Sequence, residues 1–233
     1  MPAKVYGTDS RYLGKQRGLF NVQNYLYLST GLTFWLIVAF IFLYGMTTER
    51  SLLLKILLPL FMGAGSLCLW LAFKKLGKVI NYEKGQSGER EVLKVLQSLP
   101  SNYAVFCDLL IGGKRGNIDY VVSGPKGFFA VEVKNWQHAN GRYLDEAIEQ
   151  TMRGTLQVHK YLSGINKSPI FIQGILVIAG GNNSVQTRMI GHTLLIHKDK
   201  LVDYLISQKD VAYQSQVIHL ENHLAHFTSH NVV

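Results

Sequence analysis

Residues 117–134 read NIDYVVSGPKGFFAVEVK, a pattern typical of two β-strands joined by a tight turn. With the turn centred in GPKG, residues 124–127, antiparallel pairing sets Asp119 directly opposite Glu132. Opposed residues share one face of a sheet, with β-carbons about 5 Å apart, and alternate residues of a strand share a face, so Lys134 joins the two acids. The sequence therefore predicts two carboxylates and one ammonium in one patch, which a slip of one residue would destroy.

The segments around this hairpin alternate between helical and extended patterns. Apolar residues recur with helical spacing in some segments, and others are short β-rich runs bounded by Gly or Pro. The order helix, three strands, helix and strand predicts an α/β fold of three layers with a mixed β-sheet. We expect helices at Glu89–Leu99, Asp145–Leu162, Asp199–Ile206 and Val217–Ser229, and further strands at Tyr103–Ile111, Ile170–Ala179 and Thr193–Ile196.

The predicted patch of Asp119, Glu132 and Lys134 has the chemistry of a cation site. Two adjacent carboxylates repel each other unless a cation lies between them, and oxygen ligands with open positions suit Mg²⁺ or Mn²⁺. The lysine could orient or help deprotonate water, or stabilise charge that develops on a phosphate. Together these groups suit metal-dependent hydrolysis of a phosphodiester. The alternative is a solvated strand face that carries an ordinary Glu–Lys ion pair.

Glu89 is a further candidate for the same patch. Val92, Leu93 and Leu96 follow it at spacings of three, four and seven residues, so it shares the apolar side of its helix. A glutamate directed inward needs a partner, and a metal ion or Lys134 would serve. The alternative is an acid at a helix N-terminus, where the helix dipole favours it.

Three ordered segments resemble the NERD (nuclease-related) domain, a family grouped by similarity with the PD-(D/E)XK nuclease superfamily. They are Gly88-Glu89-Arg90 at a helix start, GNIDYVV at 116–122 and GFFAVEVKNW at 127–136. The resemblance covers residues 85–179 and implies a PD-(D/E)XK-like three-layer core. It also implies a nuclease that acts on DNA, with RNA as an alternative.

The resemblance implies roles for individual residues. Asp119 and Glu132 would be metal-binding carboxylates, and the main-chain carbonyl of Val133 would add a ligand to Mg²⁺ or Mn²⁺. Lys134 would be the catalytic lysine. Glu89 would complete the metal shell or orient water.

A glutamine in the following helix belongs to the same family pattern. Gln150 takes that position, and Gln157 lies on the same helix face and stays an alternative. The sequence departs from the pattern in two places. Tyr120 stands where the family often has histidine, and no Asn-Pro precedes Gln150.

Lys114 and Arg115 are candidates for contacts to the phosphates of a nucleic acid. They lie in a glycine-rich loop just ahead of the strand that carries Asp119. Residues 79–233 have a net charge of only +2, so we expect weak binding that depends on salt and metal. The alternative is a solvated hairpin loop.

The N-terminal part of the chain is strongly apolar. Residues 21–48 carry no charge, and residues 25–46 would span about 33 Å as a helix, against about 30 Å for the hydrocarbon core of a bilayer. A second uncharged run, residues 56–73, is shorter and contains Pro59. We expect a transmembrane helical hairpin in the lipid bilayer; the alternative is a buried hairpin of a globular protein.

The distribution of Lys and Arg predicts the orientation of this hairpin. Four of these cations precede the first run, three follow the second, and two lie in the link. The bias favours two cytoplasmic termini, in a bacterial-type inner membrane. The expected domains are a basic cytoplasmic N-terminus (1–20), the hairpin (21–78), a linker (79–88) and a nuclease-like domain with a helical C-terminal tail (89–233).

Two other functions fit the same sequence. The fold could be kept without catalysis as a membrane-tethered platform that binds nucleic acid or protein. Alternatively, the protein could be a scaffold or sensor. Its hairpin would form a homo-oligomer, and a C-terminal histidine stripe would bind metal or respond to pH. A solvated amphipathic helix is the commoner explanation of the stripe, which consists of His219, His223, His226 and His230.

Overall fold

The computed structural model describes residues 2–7, 11–45, 52–111, 117–136, 141–166, 170–181, 185–210, 217 and 219–225. The chain divides into two compact units, the sheet unit (Met1–Tyr12 and Lys84–Val233) and the helical unit (Leu13–Glu83). The helices are α1 (Arg11–Gly45), α2 (Leu52–Leu96), α3 (Arg142–Asn166) and α4 (Leu201–Ser207). The strands are β1 (Lys4–Tyr6), β2 (Ala104–Leu109), β3 (Ile118–Gly124), β4 (Gly127–Lys134), β5 (Ile172–Ile178), β6 (Arg188–Ile190) and β7 (Thr193–His197).

The strands form one mixed sheet in the order β1-β2-β3-β4-β5-β7-β6. Strands β2, β3 and β4 are antiparallel neighbours, whereas β4, β5 and β7 run parallel. The short edge strands differ, because β1 is parallel to β2 and β6 is antiparallel to β7. Helix α3 joins β4 to β5 and packs on both, as a parallel crossover requires. The protein is therefore an α/β fold with a mixed sheet flanked by helices.

Apolar side chains fill the space on both faces of the sheet. On one face, Val92 and Leu96 of α2 are fully buried and pack in a cluster with Val131. On the other face, Val158 of α3 packs in a cluster with Ala130. Because β4 is covered on both sides, it is apolar along most of its length, and its charged residues come only at its end.

The β3–β4 turn sets the register of the hairpin. Gly127 has a φ of 106°, a conformation that glycine adopts without strain. Every pair of the ladder, from Gly124 opposite Gly127 onward, has the register that the sequence predicts. Continued one step past its last pair, the ladder sets Asp119 opposite Glu132.

The segment expected as a linker, residues 79–88, is helical instead, because α2 continues without a break over Leu52–Leu96. Gly88 weakens a helix intrinsically, but a Cβ there would lie 2.8 Å from the Cβ of Asn135. The side-chain amide of Asn135 also donates to the carbonyl of Lys84 at 2.7 Å. Docking of α2 on the sheet therefore outweighs the low helix propensity of its glycines.

The N-terminus, expected only as a basic segment, contributes a strand to the sheet. The amide of Lys4 donates to the carbonyl of Tyr103 at 3.1 Å, and the ring of Tyr6 stacks on Phe106 with centroids 4.9 Å apart. Strand β6 was not expected either. Both strands have three residues, which is too short for an alternating pattern to be visible in the sequence.

The helical unit has the length and composition of a membrane anchor. Asn21–Tyr44 and Pro59–Leu96 are long and apolar enough to cross a membrane, and only 11% of each window is buried, unlike a soluble core helix. A Cβ at Gly31 would lie 3.0 Å from Leu69, and one at Gly65 would lie 3.0 Å from an indole carbon of α1. Such close approach at small residues is typical of helix pairs in membranes. The predicted link between the spans lies largely outside the described residues.

Candidate active site

The three residues predicted from the hairpin lie together on the face of the sheet that α3 covers. The ammonium of Lys134 donates to Glu132 Oε1 at 2.7 Å. Asp119 Oδ2 accepts a hydrogen bond of 2.7 Å from the main-chain amide of Val133. Glu132 is only 5% exposed, whereas Asp119 and Lys134 are half-buried. The carboxylates thus meet in a largely buried patch rather than on a solvated strand face.

Gln150 is the glutamine that reaches these residues. Its Oε1 accepts a hydrogen bond of 3.0 Å from Lys134 Nζ, and its side chain also hydrogen-bonds to Glu132. Gln157 stands two turns further along α3, about 10 Å along the helix axis. The ambiguity between the two glutamines is therefore resolved in favour of Gln150.

The two carboxyls oppose each other's ionisation. Burial raises the pKa of Asp119 well above its ordinary value, and the negative charges of Glu132 and Glu89 raise it further, against smaller opposing effects of Lys134 and the Val133 amide. Burial also raises the pKa of Glu132, although the charge and hydrogen bond of Lys134 partly offset it. A site that holds more negative charge than it can solvate is one that a cation stabilises.

Lys134 is held in its charged form. Burial alone would lower the pKa of its ammonium, but the negative charges of Glu132, Asp119 and Glu89 outweigh burial and raise it. Lys134 is therefore protonated at neutral pH. In this arrangement its ammonium can stabilise an anion.

Glu89 comes from α2, on the opposite face of the sheet, and is half-buried. Its charge nevertheless raises the pKa of both Asp119 and Lys134. The hydroxyl of Tyr120 donates to the Glu89 carbonyl at 2.9 Å, so the residue that departs from the family pattern fixes this turn of α2. The charge of Glu89 thus acts on the predicted patch from the far side of the sheet.

The main-chain carbonyl of Val133 points toward β3. The amide and carbonyl of one strand residue point to the same side, and the Val133 amide bonds to Asp119 on β3. The next residue, Lys134, uses its carbonyl toward the other side, where it accepts from Ala179 at 2.9 Å. The Val133 carbonyl therefore faces the Asp119 carboxylate.

A comparison with known protein families finds one match to this part of the chain. Residues 84–179 match the family model of the nuclease-related domain, NERD. This part of the chain is similar to the NERD domain. No curated protein and no solved structure matches the chain.

The NERD match contains all five side chains of the site. They are Glu89, Asp119, Glu132, Lys134 and Gln150. The helical unit, β1, and the strands and helices after β5 lie outside the match. The mixed sheet flanked by helices agrees with the PD-(D/E)XK-like fold of the NERD domain.

Two further residues, one on the strand beside that of Asp119 and one on α3, were not predicted. Asp108 of β2 falls opposite Asp119 in the β2–β3 register and has a φ of 54°, a left-handed conformation that is rare for a non-glycine residue. Its Oδ1 accepts from Asn117 Nδ2 at 2.5 Å. Arg153 of α3 adds positive charge that lowers the pKa of Glu132. In the sequence, the feature that points to Arg153 is its position three residues after Gln150.

Other candidates do not join the site. Lys114 and Arg115 lie outside the described residues, as do His226 and His230. His219 and His223 are exposed and form an edge-to-face ring pair with centroids 4.8 Å apart. Within the described part of the chain, no three His, Cys, Asp or Glu side chains are close enough to hold a metal ion by themselves.

Proposed function

We propose that this protein is a membrane-anchored, metal-dependent nuclease that hydrolyses phosphodiester bonds of DNA. The observation that carries the proposal is the convergence of Asp119, Glu132 and Lys134 at one end of the β3–β4 hairpin, within a nuclease-related domain. RNA shares the phosphodiester chemistry and is a test substrate alongside DNA.

The donor set fits Mg²⁺ or Mn²⁺. Asp119, Glu132 and the Val133 carbonyl offer hard oxygen ligands in this patch, with Glu89 near enough to add negative charge. Burial is the largest cause of the raised pKa of both carboxyls, and for Asp119 the negative charges of Glu132 and Glu89 add to it. Since no three acidic or imidazole side chains of the described residues cluster, water and the main-chain oxygen would complete the shell. When bound, such an ion would polarise a phosphate oxygen and lower the pKa of water.

The chain's own residues position charge around the phosphate. Lys134, protonated and held between Glu132 and Gln150, is suited to stabilise the negative charge that builds up on the phosphoryl oxygens. Gln150 fixes the ammonium and limits its freedom before the reaction. Because the pKa of Lys134 is raised, we assign it charge stabilisation rather than proton abstraction.

We also propose the location, the cytoplasmic face of a bacterial inner membrane with both termini in the cytoplasm. Support comes from the two apolar helices and from the excess of Lys and Arg at both ends of the hairpin. The two compact units, Met1–Tyr12 with Lys84–Val233 and Leu13–Glu83, would then be the cytoplasmic domain and the membrane hairpin.

The test is cleavage of labelled DNA and RNA by the full chain in detergent with Mn²⁺ or Mg²⁺. A fragment that starts at residue 79 would lack β1, so the full chain is required. We expect Lys134→Ala to reduce the rate by about 100-fold or more, the usual effect of removing a group that stabilises transition-state charge. Lys126→Ala is the matched control, because Lys126 forms its 2.9 Å ion pair with Asp210 beside the β3–β4 turn, at the other end of the hairpin. Cleavage that persists unchanged in Lys134→Ala would refute the assignment.

A second function, a nucleic-acid-binding platform without catalysis, is favoured by two observations. Lys134 already neutralises Glu132, and no three acidic or imidazole side chains of the described residues form a metal cluster. This alternative predicts DNA retention without metal-dependent cleavage. It also predicts that Asp119→Ala leaves Mn²⁺ uptake, measured by calorimetry, indistinguishable from the wild type, whereas the nuclease proposal predicts its loss.

A further inference from the structure

The negative charge of the site repels DNA, the substrate that we propose for it. Asp119, Glu132 and Glu89 all add negative charge, and the one ammonium at their centre is already bonded to Glu132 and Gln150. A phosphate backbone needs cations beyond the scissile position, since phosphate contacts supply most of the affinity for nucleic acid. A further cation beside Lys134 and Gln150 would meet this need.

Arg153 lies on α3 beside Gln150. It follows Gln150 by three residues on α3, so the two side chains are neighbours on the helix surface. Its own partner, Glu149, is held at 3.4 Å, and the two side chains are 61% and 66% exposed. An exposed pair of this kind contributes little, so the guanidinium can change partners at small cost. A Cβ at the next helix residue, Gly154, would lie 3.4 Å from Ile118 Cγ1, so this turn of α3 lies over the start of β3.

We propose that Arg153 binds a backbone phosphate next to the one that is cleaved. The inference rests on the proposed function only in its choice of substrate. The guanidinium presents paired N–H donors that match two phosphate oxygens, whereas a lysine at this position would supply charge without that geometry. Arg153 is therefore a substrate-binding residue, distinct from the residues that act on the scissile phosphate.

Arg142 provides a matched control on the same helix. It also pairs with a glutamate four residues away, Glu146, at 3.0 Å, and its side chain is 89% exposed. It lies in the first turn of α3, more than two turns before Gln150. Removing Arg142 thus removes the same charge and the same kind of ion pair without removing a neighbour of Gln150.

The experiment measures binding of a fluorescent DNA duplex to the full chain in detergent with Ca²⁺ over a range of salt concentrations. We expect Arg153→Ala to raise Kd by about tenfold and to reduce the salt slope by about 1, the loss of one phosphate contact. Arg153→Lys should restore the slope but not the full affinity. Arg142→Ala should keep both. In cleavage with Mn²⁺, Arg153→Ala should raise KM and leave kcat within about twofold.

The outcomes separate this inference from the nuclease proposal. If the wild type binds and cleaves DNA while Arg153→Ala and Arg142→Ala have the same Kd and slope, the assignment of Arg153 is wrong and the nuclease proposal stands. If the wild type binds without cleaving and Arg153→Ala weakens binding, the assignment stands and the nuclease proposal fails. If the wild type binds no DNA at any salt concentration, both are overturned.

Discussion

Replacing Gly88 with alanine tests the close approach of α2 to the active site. At an open helix position this change stabilises a protein by about 1 kcal/mol, because alanine has the higher helix propensity. At Gly88 the new Cβ would lie 2.8 Å from the Cβ of Asn135 and 3.2 Å from that of Ala179. Overpacking against such atoms costs about 1–3 kcal/mol. The clash cancels or exceeds the gain, so we expect the free energy of unfolding to fall by up to about 2 kcal/mol.

We also expect Gly88→Ala to reduce the rate of DNA cleavage. Glu89 is the next residue, and a shift of α2 moves its carboxylate relative to Asp119; a displacement of about 1 Å can reduce a rate by about 100-fold. Gly77→Ala is the control on the same helix, since a Cβ there would meet no atom within 4 Å. It should leave cleavage unchanged and raise stability by about 1 kcal/mol. Thermal unfolding and cleavage of the full chain measure both effects. A Gly88→Ala protein as stable and as active as Gly77→Ala would contradict a close approach of α2 to the active site.

Two further substitutions test the electrostatics and the positioning of the site. Asp119→Asn should stabilise the metal-free protein at neutral pH, because the raised pKa of Asp119 means that its ionisation opposes folding. The wild type should therefore lose stability relative to Asp119→Asn as the pH rises from below the ordinary carboxyl range, and equal melting temperatures at every pH would contradict this. Tyr120→Phe removes the hydrogen bond to the Glu89 carbonyl and should lower both stability, by about 1 kcal/mol, and the cleavage rate. Tyr103→Phe loses a comparable bond, 3.3 Å to the Leu205 carbonyl, and should lower stability alone; equal cleavage by the two variants would argue against a positioning role for Tyr120.

The hairpin could be predicted because its information is local. Gly124 and Gly127 bound a turn whose geometry fixes the register, and alternation along the strand then places Glu132 and Lys134 on one face. The choice between Gln150 and Gln157 could not be made in this way. The two are seven residues apart and share a helix face, and only the position of α3 along β4 selects Gln150.

The remaining differences come from contacts that are distant in sequence. Gly85 and Gly88 suggested a linker, but packing against Asn135 keeps α2 helical through them. Strand β1 has three residues, and its partner β2 follows the entire helical unit along the chain. In each case the local preference is weak and a tertiary contact decides the structure.

Strand β1 also constrains the membrane topology independently of hydropathy. The chain leaves the sheet after Tyr6 and belongs to the same unit again from Lys84. Under the proposed membrane location, a sheet whose strands hydrogen-bond to one another must lie on one side of the bilayer, so the segment between these residues would cross an even number of times. A single crossing would separate β1 from β2 and break the pairs from Lys4 to Tyr6. Two crossings would keep β1 and β2 on the same side, and the Lys and Arg bias would then select which side both ends occupy.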